Sequence, residues 1–129
     1  MQYLLDTVAI IRHFSDKGRI GYTATNILDH IEKNDDFLVI SVISLMEIMY
    51  LFEKNRITID LESTLERIQA SSKYGIINLS PEILSVSKTI EFYELHDRLI
   101  LGTAKWLDIP ILSSDHKFSE VTGIEVIWN

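Results

Sequence analysis

The chain has 129 residues, 47% of them apolar and 24% charged, which is enough to close one hydrophobic core and points to a single domain over residues 1–129. It has no cysteine, which excludes disulfides and thiolate metal sites, and its net charge of −7 excludes holding nucleic acid by bulk phosphate neutralisation. No window approaches about 18 uninterrupted apolar residues, and Met1-Gln2-Tyr3-Leu4-Leu5-Asp6 lacks the basic start of a signal peptide, so no membrane contact and a cytoplasmic location are expected.

Gln2 to Leu5 is an apolar run of strand length. Thr7 to Phe14 reads as a helix, with Val8, Ile11 and Phe14 at three-residue spacing and Gly18 as its cap. Tyr22 to Lys33 reads as a second helix, closed by the turn Asn34-Asp35-Asp36. Phe37 to Ser41 is continuously apolar apart from its last residue, as in parallel strands covered on both faces. Ser44 to Lys54 follows as a helix, and Ser44-Leu45-Met46-Glu47 matches a capping box. A more polar helix is predicted from Thr58 to Lys73, ended by Gly75, and then a strand from Ile76 to Leu79. Ser80 with Pro81 at the first helical position is a strong start signal for a helix running toward Leu95. Asp97 to Leu107 is the next helix, in which Gly102 allows close approach; Pro110–Leu112 and Glu125–Trp128 are the last strands. The order βααβααβααβ plus a final strand predicts a mostly parallel five-stranded sheet between two helical layers, a three-layer α/β/α sandwich.

Four acids fall at the same end of that sheet: Asp6 after the first strand, Glu47 after the second, Asp97 at a helix start and Asp115 after the fourth strand. In open α/β sheets, ligands bind beyond the carboxyl ends of the strands. Carboxylates that converge there need a cation to remain ionised together, which suggests Mg²⁺ or Mn²⁺ and phosphate chemistry. Each acid also has a plainer reading. Asp6 suits a helix N-cap, Glu47 the reciprocal partner of Ser44, Asp97 a cap or dipole partner, and Asp115 an Asx-turn or the cap of a short helix.

The segments Leu4-Leu5-Asp6-Thr7, Ser41-Val42-Ile43-Ser44-Leu45-Met46-Glu47-Ile48, Asp97-Arg98-Leu99-Ile100-Leu101-Gly102-Thr103-Ala104 and Ile111-Leu112-Ser113-Ser114-Asp115 occur in order across almost the whole chain. In these segments the chain resembles PIN-domain proteins, and among them the VapC-type toxin ribonucleases. The resemblance implies a PIN-like fold, a Mg²⁺- or Mn²⁺-dependent endoribonuclease acting on an RNA substrate, and a cognate antitoxin. It also implies Asp6, Glu47, Asp97 and Asp115 as catalytic and metal-binding residues, with Asp6 and Asp97 the most direct ligands. Ser113 stands where the family usually has Thr, and residues 55–78 carry no family signature.

Thr7 and Ser113, beside acids, suit either a carboxylate or a phosphate oxygen, or simple hydroxyl caps. Arg98 is placed either to grip a phosphate or to pair with Glu94 or Asp97. Glu91 and Glu94 read as a solvated helix face, Lys117 as a solvated lysine, and Trp106 and Trp128 as packing residues. His13, His30, His96 and His116 lack zinc-ligand spacing. The apolar residues Val8, Ile11, Ile27, Ile31, Leu45, Ile48 and Met49 exceed the evident need of one small core, which predicts a surface for an antitoxin helix and a homodimer.

The alternative to an enzyme is a non-catalytic PIN-like protein-binding module; retention of all four acids argues against it. A receiver domain wants paired acids after the first strand, whereas Thr7 follows Asp6. A haloacid-type phosphatase wants an acid at position 8, which is Val8.

Overall fold

The computed structural model describes residues 1–129. Five short strands, β1 (Gln2–Leu5), β2 (Phe37–Ser41), β3 (Tyr74–Ile77), β4 (Ile111–Leu112) and β5 (Val126–Ile127), form one sheet. Their spatial order is β3-β2-β1-β4-β5, and every neighbouring pair is parallel. The connections are α1 (Thr7–Ser15), α2 (Tyr22–Asp29), α3 (Val42–Glu53), α4 (Leu61–Gln69), α5 (Pro81–Lys88) and α6 (Leu95–Leu107), with a 3₁₀ helix at His116–Glu120 before β5. The element order is the one expected from the sequence, and the sheet is wholly rather than mostly parallel.

Successive strand side chains point to opposite faces, so each central strand feeds two cores. Tyr3, Leu5, Leu38, Ile40 and Leu112 pack with Ile10 and Phe14 of α1, Leu28 of α2, Leu45 and Ile48 of α3 and Ile68 of α4. Leu4, Val39 and Ile111 face the other way, onto Leu99, Ile100, Leu101 and Ala104 of α6 and onto Phe118. This is the α/β/α sandwich, and it explains why β1 and β2 read as unbroken apolar runs. Each fully buried Leu or Ile contributes about 1.5–3 kcal/mol. Behind the second layer, α5 and α6 press together so closely that a Cβ on Gly102 would collide with Ser87 Oγ.

Several boundaries differ from the sequence expectation, each for a local reason. The left-handed residue ending α1 is Asp16 (φ 56°), its C-cap, while Gly18 (φ 86°) lies two residues further on. α2 stops at Asp29, with His30–Lys33 in turn geometry. α4 begins at Leu61 because Asp60 caps it, accepting from Ser63 N at 2.8 Å. Gly75 does not end that helix. It lies within β3, paired with Val39, where a Cβ would strike the Phe37 ring. α5 ends at Lys88 rather than near Leu95.

The apolar surplus expected for partner surfaces is mostly core. Ile31, Leu45 and Ile48 are buried, and Ile11 and Ile27 pack half-buried against them. Only Val8 and Met49 of that set are exposed. Four helices cover one sheet face, so that layer needs more apolar side chains than a single stripe per helix suggests.

Candidate metal centre

The chain leaves β1 toward β2 on one side of the sheet and reaches β4 on the other, so the switch point of the topology lies between β1 and β4. Asp6 sits at that point, its N–H donating to Leu112 O at 3.2 Å. It caps α1, with Oδ1 accepting from Ala9 N at 2.8 Å, and is only 7% exposed. Burial pushes its pKa up to about 6. Hydrogen bonds from the Ser113 hydroxyl and Ala9 N–H pull it back, Asp115 raises it, and Arg12 lowers it slightly. One oxygen of Asp6 thus serves the helix, while the carboxylate as a whole stays buried without an ion-pair partner.

Asp97 lies in the first turn of α6 and does not cap it. The N-cap is Glu94, whose Oε2 accepts from Asp97 N at 2.7 Å. The Asp97 pKa is also pushed up to about 6, first by burial and then by the charges of Glu94, Glu47, Asp115 and Asp6. All four sequence-selected acids thus act on one electrostatic neighbourhood.

Glu47 is not a capping-box partner. Ser41 caps α3, its Oγ accepting from Ile43 N at 3.0 Å, which places Ser44 and Glu47 inside the helix. There Thr7 Oγ1 stands 2.6 Å from Glu47 Oε1 and 2.9 Å from the buried Ser44 Oγ. A threonine has one hydroxyl proton, and a carboxylate is the stronger acceptor, so Thr7 tethers Glu47 across the α1–α3 contact. Glu47 Oε2 faces His96 Nδ1 at 4.0 Å, and that nitrogen lies 3.3 Å from Glu94 Oε1. Asp115 caps the 3₁₀ helix, accepting from Lys117 N at 2.9 Å, while its own N–H donates to Ser113 Oγ at 3.1 Å.

Arg98 does not join this group, and it pairs with neither Glu94 nor Asp97. Its Nε donates to Ser87 O at 2.8 Å and a terminal nitrogen to Lys88 O at 3.0 Å, closing the carbonyl end of α5. None of the four acids is ion-paired to a lysine or arginine. Nor do any three carboxylate or imidazole groups stand close enough to enclose an ion by themselves. The convergence is electrostatic rather than a ready-made cage. An all-oxygen donor set, two of whose members are raised to about pKa 6 by burial and then by neighbouring carboxylates, fits a hard divalent cation that keeps most of its water.

The sequence placed Glu94 on a solvated helix face and gave His96 no ligand role, whereas the structure sets both beside the acids. Glu94 lies outside the Ser/Thr/Asp/Asn set that marks N-caps, so the sequence starts this helix at Asp97, two residues after its first residue Leu95. Its position three residues before Asp97, as in a cap bonded to N3, was the available signal.

The model of the PIN domain family matches residues 3–124. No curated protein matches the chain. Among solved structures, VapBC2 from Rickettsia felis bound to a promoter DNA fragment aligns over all of both chains with a TM-score of 0.74 at 17% identity. A toxin–antitoxin complex from Klebsiella pneumoniae covers 97% of this chain and 95% of its own at 25% identity and a TM-score of 0.61. The sarcin-ricin-loop-cleaving toxin VapC20 of Mycobacterium tuberculosis covers 95% of this chain and 98% of its own at 12% identity and a TM-score of 0.64. At such identities the shared property is the fold, and the family match spans nearly the whole length. The chain belongs to the PIN-domain family.

Proposed function

We propose that the chain is a Mg²⁺- or Mn²⁺-dependent endoribonuclease, acting as one PIN domain, and the toxin of a toxin–antitoxin pair. The observation that carries this reading is the pair Asp6 and Asp97. They come from opposite ends of the sequence, both are driven to pKa values of about 6, and neither has a cationic partner. Such a pair is costly in the free protein and suits one that binds a divalent ion. The likeness to VapC20 and to toxin–antitoxin complexes supports RNA as the substrate and an antitoxin as the partner.

In this reading Asp6 and Asp97 would hold the ion, with Glu47 and Asp115 as the further carboxylates of the site. The ion supplies Lewis acidity at the phosphodiester and a more acidic water. The protein's own groups do the orienting. Thr7 fixes one oxygen of Glu47, and Ala9 N–H fixes Oδ1 of Asp6. In-line cleavage leaves a 5′-phosphate and a 3′-hydroxyl. Beside Glu47 and His96, a cleft of about 540 Å³ is lined by Met46, Met49, Tyr50 and Leu51. It suits an apolar antitoxin segment whose lysine or arginine reaches the acids and replaces the ion.

The test is incubation with total RNA in Mg²⁺ or in EDTA, followed by mapping of the ends. Metal-dependent cuts with 5′-phosphate ends, lost in Asp6→Asn, are expected. Wild-type activity in Asp6→Asn with Mn²⁺ would remove the assignment. Tight binding of a partner protein with no cleavage under any metal would instead favour a binding module.

A further inference from the structure

Tyr93 is 84% exposed, the most exposed large hydrophobic side chain of the protein, yet its ring is held rather than free. It stacks on Phe92 with centroids 5.9 Å apart and planes 10° from parallel. Phe92 in turn meets the buried Phe118 edge-on at 5.4 Å. The Lys117 ammonium lies 5.4 Å from the Tyr93 centroid. A hollow of about 470 Å³ opens there, lined by Glu91, Phe92, Tyr93, Lys117, Glu120 and Val121. Phe118 anchors the stack to the core below β4, so the platform is rigid from beneath while its outer ring gains nothing from folding.

Both ends of this platform are tied to the acidic centre. Tyr93 precedes Glu94, whose carboxylate accepts from Asp97 N. Lys117 donates its backbone N–H to Asp115, leaving its ammonium free of any carboxylate partner. Lys117 thus puts a positive charge beside an exposed aromatic ring in a chain of net charge −7.

We infer that Tyr93 and Lys117 form a subsite for single-stranded RNA, with Tyr93 stacking one unpaired base and Lys117 contacting the adjoining phosphate, next to the phosphodiester held at the acids. Aromatic stacking serves any base because every base has a π-face, and one lysine neutralises one phosphate. Glu91 and Glu120 repel phosphate but accept from an exocyclic amino group, which directs the base rather than the backbone into the hollow. The subsite rests on the endoribonuclease reading for its purpose, but its binding is measurable without cleavage.

The experiment uses the full chain and a fluorescein-labelled oligoadenylate. Binding is followed by anisotropy in EDTA, and cleavage of total RNA in Mg²⁺. Tyr93→Ala should weaken binding by about ten-fold and raise KM similarly while leaving kcat near wild type. Tyr93→Phe should retain wild-type affinity, because the ring and not the hydroxyl stacks. Lys117→Ala should lower the slope of log affinity against log salt by about one contact. Unchanged melting temperatures in all three variants are expected at so exposed a site. Wild-type affinity and KM in Tyr93→Ala, in a protein that cleaves RNA, overturn the subsite and leave the nuclease reading intact. Oligoadenylate binding that depends on Tyr93 in a protein that cuts no RNA upholds the subsite and overturns the nuclease reading. Absence of both binding and cleavage overturns both.

Discussion

Replacing Asp6 by Asn should stabilise the metal-free protein, and by an amount that depends on pH. Burial raises the Asp6 pKa from 3.8 to about 6. A shift of about two units at about 1.36 kcal/mol each corresponds to roughly 3 kcal/mol. Because the folded pKa lies above the unfolded one, the favourable contribution is fully present below about pH 4 and is lost as pH rises to about 6. Above that, the folded apo protein carries the full penalty of a buried charge. Asparagine is neutral throughout and keeps an oxygen for Ala9 N, so the cap of α1 survives. In EDTA at pH 8 the variant should therefore gain up to about 3 kcal/mol. A chain of 129 residues has an unfolding entropy near 2.1 cal/mol/K per residue, so this is a rise in Tm of up to roughly 10 °C. At pH 4 the gain should vanish. Thermal melts followed by circular dichroism at pH 4, 6 and 8 measure it. A variant less stable than wild type at pH 8, or one with an equal gain at pH 4, refutes the argument that Asp6 is a strained acid awaiting a cation.

Saturating Mg²⁺ should raise the Tm of the wild type, by about 2.7 kcal/mol of stability at one hundred times Kd, and raise that of Asp6→Asn far less. Calorimetry should find Mg²⁺ affinity falling as pH drops through about 6, where Asp6 and Asp97 take up protons that compete with the ion; affinity flat from pH 8 to pH 5 contradicts this. Thr7→Val releases Glu47 and should lower cleavage or metal affinity about 10- to 100-fold in initial-rate assays, with a smaller change in Tm. Arg98→Ala should cost about 1–3 kcal/mol in urea denaturation, through the lost carbonyls of α5, with kcat of the folded protein near wild type. Gly102→Ala forces α5 and α6 apart at Ser87 and should cost about 1–3 kcal/mol by the same measurement.

The layered fold was legible because apolar runs of strand length alternate with helical periodicity, and such an alternation has few packed solutions. The four acids were legible from their places after strands and in recurring segments. Boundaries were less so where a side chain with two uses stood at the edge. Ser44-Leu45-Met46-Glu47 matches a capping box in sequence, but the earlier hydroxyl of Ser41 wins the cap, and Ser44 and Glu47 turn inward to Thr7. Glu94 was hidden for the converse reason, a cap made by a residue type that seldom makes one.

The sequence by itself determined the order of the elements, the absence of thiolate chemistry and which carboxylates lie at the carboxyl end of the sheet. These follow from local pattern and composition, which need no knowledge of distant partners. Only the tertiary structure decided what each side chain faces. It turned Arg98 to the end of α5, gave Glu47 to Thr7 and set Phe92, with Tyr93 stacked on it, against Phe118. Those outcomes depend on burial and on contacts between residues far apart in the chain, and neither is encoded in any single window of sequence.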